Sequence, residues 1–354
     1  MNRLIQLIPS HHRHDAAGAE VLLFERLLAA AGWRVETYAD EIDPSLVAST
    51  RPSSELDSAD TDGAVALYHY CAASPMTSRF LELHCPKVII YYNITPHSFF
   101  EPYSAADAAV CRDGREQLRK IAEAVDLAIA HSDYSRLELV EAGFDVTRTI
   151  PYLFDPERYS GEPDPAMLRR LDGPPVVLFT GRHAPNKKPD DFIRVAAAHA
   201  AAGYPPARFV VAGKRSAVPA YAREIDALLG DLGLPEERLL LTDEVSQAEL
   251  VAAYRSASLF LSLSRHEGFM VPLLECMLFD VPVLALARAA VPETLGDAGV
   301  LFDSTDPEVV ASMVDDALGD ADLRAELVER GRRRLKRYDL DHWVFVFRAL
   351  LESL

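Results

Sequence analysis

Short apolar runs alternating with amphipathic stretches predict an α/β protein of two doubly wound domains facing a cleft. The first observation is a series of strand-like runs in the first half: "RLIQLI" (3–8), "RVETY" (34–38), "AVALYHY" (64–70), "KVIIYYN" (87–93) and "DLAIAHS" (126–132). The second is a like series later on: "PVVLFTG" (175–181), "RFVVAG" (208–213), "RLLLTD" (238–243), "ASLFLSLS" (257–264) and "VPVLAL" (281–286). The third is the Pro- and Gly-bearing stretch "YLFDPERYSGEPDP" (152–165) between them, which reads as a linker. A chain of 354 residues with 49% hydrophobic content fills two cores. Apolar strands separated by helices form parallel sheets covered on both faces, and such sheets bind ligands at their strands' C-terminal ends.

Taken in order, residues 1–160 form the first domain, 170–335 the second, and 336–354 a terminal helix packing back towards the first. The helix "AEVLLFERLLAAAG" follows the first strand and stops at Gly32, whereas the polar, acidic segment 40–63 reads as a surface excursion. In the second domain Ser246 and Glu249 have capping-box spacing at the start of "QAELVAAYRSA". Helices dominate from about Pro307 onwards.

Composition excludes several functions. Lys plus Arg number 36 against 54 Asp plus Glu, a net charge of −18, so nucleic acid is not a partner. Phosphate chemistry then requires a local cationic pocket. Four cysteines without C-x-x-C spacing, and no signal-peptide pattern, point to reduced thiols in a cytoplasmic protein. No apolar run reaches membrane-span length.

The chemistry concentrates in "SRHEGFMVPLLE" (264–275). Pro272 suits the first position of a helix running to about Phe279. Glu267 then lies in the loop after a strand, and Glu275 about one turn into the helix. The amides of Phe269, Met270 and Val271 lie between them and, with the helix dipole, favour an anion. Two carboxylates beside an anion site make sense as acceptors from hydroxyls, and a sugar nucleotide offers both a diphosphate and hydroxyls. Arg182 and Lys187 occupy another strand-to-helix loop, before a helix that Pro189 opens. Taken alone, Glu275 reads better as a first-turn glutamate complementing the dipole, while for the two cations solvated surface charge is the lesser alternative to a phosphate site.

These segments resemble the retaining glycosyltransferases of family 4, which have the GT-B fold of two Rossmann-like domains. "EGFMVPLLE" is similar to that family's Glu-Gly-Phe-x-x-Pro-x-x-Glu signature, and "FTGRHAPNKKPDDFI" to its Gly-Arg-x-x-x-x-Lys segment. "AAVPETLGDAGVLFD" and "HSDYSRLELVEAGF" resemble two further family segments. The resemblance implies a transferase moving a hexose, mannose or glucose, from a GDP- or UDP-linked donor to a hydroxyl of a saccharide or lipid-linked acceptor. It assigns Glu267 to the donor sugar, Glu275 to the ribose, and Arg182 and Lys187 to the diphosphate. Gly181, Val245, Gly268, Phe269, Met270 and Val271 complete the implied donor site. It implies no metal and no cofactor beyond the nucleotide sugar. On the acceptor side Asp15, Gly18, Asn93 and His97 are candidates, with Tyr92 where relatives often carry a histidine. Two rival readings are an inverting enzyme with His12, His14 or Asp15 as base, and a sugar-nucleotide-binding protein without transfer activity.

Other signals carry less. "HHRH" (11–14) lacks the spacing and the third ligand of a zinc site. "AGKRS" (212–216) lacks the upstream glycine of a P-loop, and "DLD" (339–341) leads into a helix. The basic run "RGRRRLKR" (330–337) reads first as a solvated helix face. Its sharper reading is peripheral contact with anionic lipid at the inner membrane face through Arg332, Arg333, Arg334, Lys336 and Arg337.

Overall fold

The computed structural model describes residues 2–13 and 15–354, and the chain divides into two compact units. The first comprises Met1–Ser98, Ala106–Asp155 and Tyr338–Leu354, the second Phe99–Ala105 and Pro156–Arg337.

The first unit holds a seven-stranded sheet in the order β3-β2-β1-β4-β5-β6-β7. Its strands are β1 (Arg3–His11), β2 (Arg34–Ile42), β3 (Thr50–Pro52), β4 (Ala64–Tyr70), β5 (Lys87–Tyr91), β6 (Leu127–Ala130) and β7 (Thr147–Thr149), each pair parallel. Helices α1 (Ala16–Ala30), α2 (Met76–Glu82), α3 (Ala105–Ile121) and α4 (Asp133–Ala142) connect them. Every residue of β4 is buried, as expected for a central strand covered on both faces. The segment 40–63 is less of an excursion than its polarity suggests. β2 runs on to Ile42, and β3 pairs Thr50, Arg51 and Pro52 with Thr37, Tyr38 and Ala39. Backbone pairing, not apolar side chains, makes that edge strand.

The second unit holds a six-stranded parallel sheet in the order β10-β9-β8-β11-β12-β13. These are β8 (Val176–Thr180), β9 (Arg208–Ala212), β10 (Leu239–Leu241), β11 (Ala257–Ser262), β12 (Val283–Leu286) and β13 (Val300–Phe302). Its helices are α5 (Pro165–Leu171), α6 (Pro189–Ala201), α7 (Pro219–Leu232), α8 (Gln247–Ser256), α9 (Pro272–Leu278), α10 (Val291–Leu295), α11 (Pro307–Gly319) and α12 (Ala321–Leu335). Proline stands at the start of α5, α6, α7, α9 and α11, where its missing N–H costs nothing. The Ser246–Glu249 capping box opens α8 with both of its hydrogen bonds.

The last helix, α13 (Leu340–Glu352), belongs to the first unit. Its Phe347 and Leu351 are buried in one cluster with Leu23, Phe24 and Leu28 of α1 and with Trp33, and Phe347 stacks on Phe24 with centroids 4.3 Å apart. No helix among the described residues is long and apolar enough to cross a membrane.

Candidate active site

In the second unit the loops at the C-terminal ends of β8, β9, β10 and β11 are tied together by their backbones. Gly181, at φ +141°, and Gly213, at φ +152°, are in close approach: a Cβ on Gly213 would lie 2.1 Å from the Gly181 carbonyl oxygen. Only glycine fits there. The Gly213 N–H donates to Thr242 Oγ1 (3.3 Å), which brings the 242–245 loop, with half-buried Val245, alongside. Asn186 stitches the 181–188 loop to the 264–271 loop. Its Nδ2 donates to the His266 carbonyl (3.0 Å) and its own carbonyl accepts from Arg265 N–H (2.8 Å).

That stitch brings Lys187 and Glu267 into an ion pair, with Lys187 Nζ 2.8 and 3.1 Å from the two Glu267 carboxylate oxygens. The two side chains expected to meet opposite halves of a donor neutralise each other here. Arg182 is exposed, at the start of the same loop. Lys188, in the left-handed region at φ 54°, turns to α6 instead, 2.7 Å from Asp190 Oδ2.

Downstream of Glu267 the chain is strained. Met270 has φ 74°, a conformation that side-chain-bearing residues rarely adopt, and its sulfur accepts from Ser262 Oγ (3.8 Å). Thr294 Oγ1 donates to the Phe269 carbonyl (2.6 Å) and Ala290 N–H to the Glu267 carbonyl (3.2 Å), so α10 holds the Gly268–Val271 turn from behind. Glu275 follows in α9. It is buried, and its carboxylate accepts from two phenols, Tyr159 on one oxygen and Tyr254 on the other.

Sequence reasoning missed several residues around this site. Tyr159, Tyr254 and Gly213 carry no local motif. His183 follows Arg182 directly and is fully buried, with neither ring nitrogen hydrogen-bonded among the described residues. Burial, with Arg215 adding to it, lowers its pKa to about 4, so the ring is neutral at physiological pH.

In the first unit Asp15 caps α1, its carboxylate accepting from Gly18 N–H at 2.6 Å. A Cβ on Gly18 would lie 1.9 Å from the His12 carbonyl oxygen, so backbone contact demands this glycine. Asn93 follows β5 at φ 61°, and its Nδ2 donates to Ser135 Oγ and Glu138 Oε2, both at 3.1 Å. His97 opens a short 3-10 turn, His97–Phe99. His12 lies 3.9 Å from Asp43, whereas His14 lies outside the described residues. Tyr92 turns inward and donates to Glu20, a carboxylate that also accepts from Leu153 N–H (3.0 Å) and pairs with His131 (3.2 Å). His69 Nδ1 lies 2.8 Å from the Tyr92 hydroxyl and its Nε2 3.1 Å from Gln6 Oε1. Burial disfavours charge on both members of the Glu20–His131 pair. Their mutual attraction outweighs it, lowering the Glu20 pKa and raising that of His131.

The basic run is partly spent on the protein itself. Arg332 reaches both Asp280 oxygens (2.8 and 2.7 Å), and Arg334 donates to the Thr294 carbonyl (3.2 Å) and to that of Glu293.

Two parallel α/β Rossmann-like units, with loops gathered at the strands' C-terminal ends, define the architecture of the GT-B glycosyltransferases. Residues 162–334 match the family model described as Glycosyl transferases group 1. A D-inositol 3-phosphate glycosyltransferase of Salinispora arenicola is 34% identical over 237 residues, taking in 60% of this chain and 48% of that protein. A GDP-mannose-dependent alpha-(1-6)-phosphatidylinositol monomannoside mannosyltransferase of Mycolicibacterium smegmatis is 27% identical over 245 residues, 65% of this chain and 61% of that one. The chain spans about half the length of the curated relatives it matches. Among solved structures, Anabaena HepE in complex with UDP-glucose covers 100% of both chains with a TM-score of 0.74 at 17% identity. Sucrose-phosphate synthase from Thermosynechococcus elongatus gives 0.76 at 18% identity, again over 100% of both chains. At these identities the likeness is one of fold.

Proposed function

We propose that the protein is a retaining glycosyltransferase that moves a hexose, glucose or mannose, from a UDP- or GDP-linked donor to a hydroxyl of a saccharide or lipid-linked acceptor. The observation that carries this reading is the Lys187–Glu267 pair between the loops after β8 and β11, with Glu275 buried in the helix that follows, all within the segment matching the glycosyl transferase model. On this reading the diphosphate takes Lys187 and Arg182 together with the amides of the 268–271 turn, the sugar hydroxyls take Glu267, and the ribose takes Glu275. Cations preformed at the leaving diphosphate stabilise the charge that grows there as the glycosidic bond breaks. We assign that role to side chains and amides without a metal ion, and place the reaction in the cytoplasm, in keeping with four cysteines that lack C-x-x-C spacing.

The experiment is proton NMR of the anomeric signal while UDP-glucose and GDP-mannose are incubated with the protein and an acceptor mixture. A product, or freshly hydrolysed sugar, that first appears in the donor's α configuration supports the reading. A β product identifies an inverting enzyme, and no cleavage of either donor identifies a binding protein.

A further inference from the structure

We propose that Tyr159 and Tyr254 are positioning residues for the donor's ribose, holding the Glu275 carboxylate so that its open acceptor directions meet the ribose hydroxyls. This rests on the reading that Glu275 grips the ribose. An ionised carboxylate has about four acceptor directions. Tyr159 fills one on Oε1 and Tyr254 one on Oε2, leaving one on each oxygen, which matches the paired 2′ and 3′ hydroxyls of a ribonucleotide. Among the described residues no cation pairs with Glu275, although the side chain is buried. A buried carboxylate with two donors is undersupplied, and further donors from a ligand complete it.

The rings cannot drift. Tyr254, on α8, stacks on Phe279 with centroids 5.3 Å apart at 4°, and Tyr159, in the turn Pro156–Tyr159, meets the same ring edge-on at 6.0 Å. Thr180 Oγ1 lies 2.8 Å from the Tyr254 hydroxyl. With the single phenol proton given to Glu275, Thr180 must donate to Tyr254, which sets the direction of the whole chain. Burial first, then Glu275, pushes the Tyr254 pKa well above its ordinary value, so the phenol remains a donor at physiological pH. Thr180 directly precedes Gly181, so the chain also ties the ribose anchor to the phosphate loop. Fixing the carboxylate before the ligand arrives removes an ordering cost from binding.

The test compares affinity for UDP and GDP with that for their 2′,3′-dideoxy counterparts, by calorimetry, in the parent protein and in Tyr159→Phe, Tyr254→Phe and Glu275→Gln. The parent prefers the ribonucleotide by on the order of 10- to 100-fold, as hydrogen bonds to a charged acceptor allow. Each phenylalanine variant lowers that preference by on the order of tenfold while dideoxynucleotide affinity stays unchanged. An unchanged preference in both, or an equal loss for both nucleotides in a folded variant, overturns the inference. Should one variant fail to fold, the other decides. If Glu275→Gln keeps the full ribose preference, or neither nucleotide binds the parent, the donor-site reading itself fails.

Discussion

Lys187 and Glu267 are each other's partners, which changes what their substitution should do. On the proposed reading a diphosphate competes with Glu267 for Lys187, and donor hydroxyls satisfy the carboxylate as Lys187 turns to the phosphates. Glu267→Gln removes the competitor, so affinity for UDP or GDP should hold or rise, by about fivefold if this mostly buried ion pair is worth as much as a good surface one. Transfer should fall, because a neutral amide accepts more weakly from the sugar. Calorimetry with the nucleotide alone and turnover with the donor separate the two effects. Loss of nucleotide affinity by about tenfold or more would place Glu267 on the wrong half of the donor. The spacing of Glu267 and Glu275 around Gly268 and Pro272 was legible because both flank one strand-to-helix turn. The tyrosines on Glu275 were not, because Tyr159 and Tyr254 lie in other elements and reach it only through the fold.

Element by element, strands with a sustained apolar run were legible, and β4 has the bounds its sequence suggests. β7 ("TRT") and β13 ("VLF") went unread, since three residues carry no period and their sheet neighbours supply the order. The amphipathic character of α13 is functional in packing terms. Phe347→Ala removes a ring stacked on Phe24 in a sealed cluster and should cost about 3–5 kcal/mol of unfolding free energy, measured by denaturant titration. A cost below about 1 kcal/mol would contradict the placement of α13 in the first unit's core. The Glu20–His131 pair ties α1 to the residue after β6, and it gives stability a pH signature. His131 has its folded pKa raised above 6.5, so the native state keeps a proton that the unfolded chain has released. Its contribution is full below that value and is lost as pH rises through the folded pKa. Glu20, lowered from 4.5, contributes above that value and loses its contribution as pH falls through its folded pKa. Buried histidines with lowered pKa, His183 and His69 among them, act in the opposite sense, so the signature is the difference between parent and Glu20→Gln: the parent's advantage in unfolding midpoint should shrink from about pH 6.5 upwards. A difference between the two proteins that stays constant or grows over this range would refute the charged pair.

Across the whole molecule, a net charge of −18 surrounds a small set of cations on one loop, and this contrast is the clearest functional feature of the sequence. On the proposed reading its consequence is local: anions are disfavoured over most of the surface and meet Arg182 and Lys187 on the 181–188 loop. The two-domain α/β architecture was legible from alternation alone, while the acceptor side was not. There, Asp15 and Gly18 serve a helix cap and a backbone contact that their sequence positions do not reveal. The central claim is that these side chains carry the leaving diphosphate's charge without a metal. The direct measurement is turnover at saturating donor for the parent, Arg182→Ala and Lys187→Ala, each with EDTA and with added Mg²⁺ or Mn²⁺. The account predicts unchanged parent activity in EDTA, and a fall of roughly 10²–10³ in each variant with a smaller change in donor KM. Turnover abolished by EDTA and restored by metal, or near-normal turnover in both variants, would contradict it.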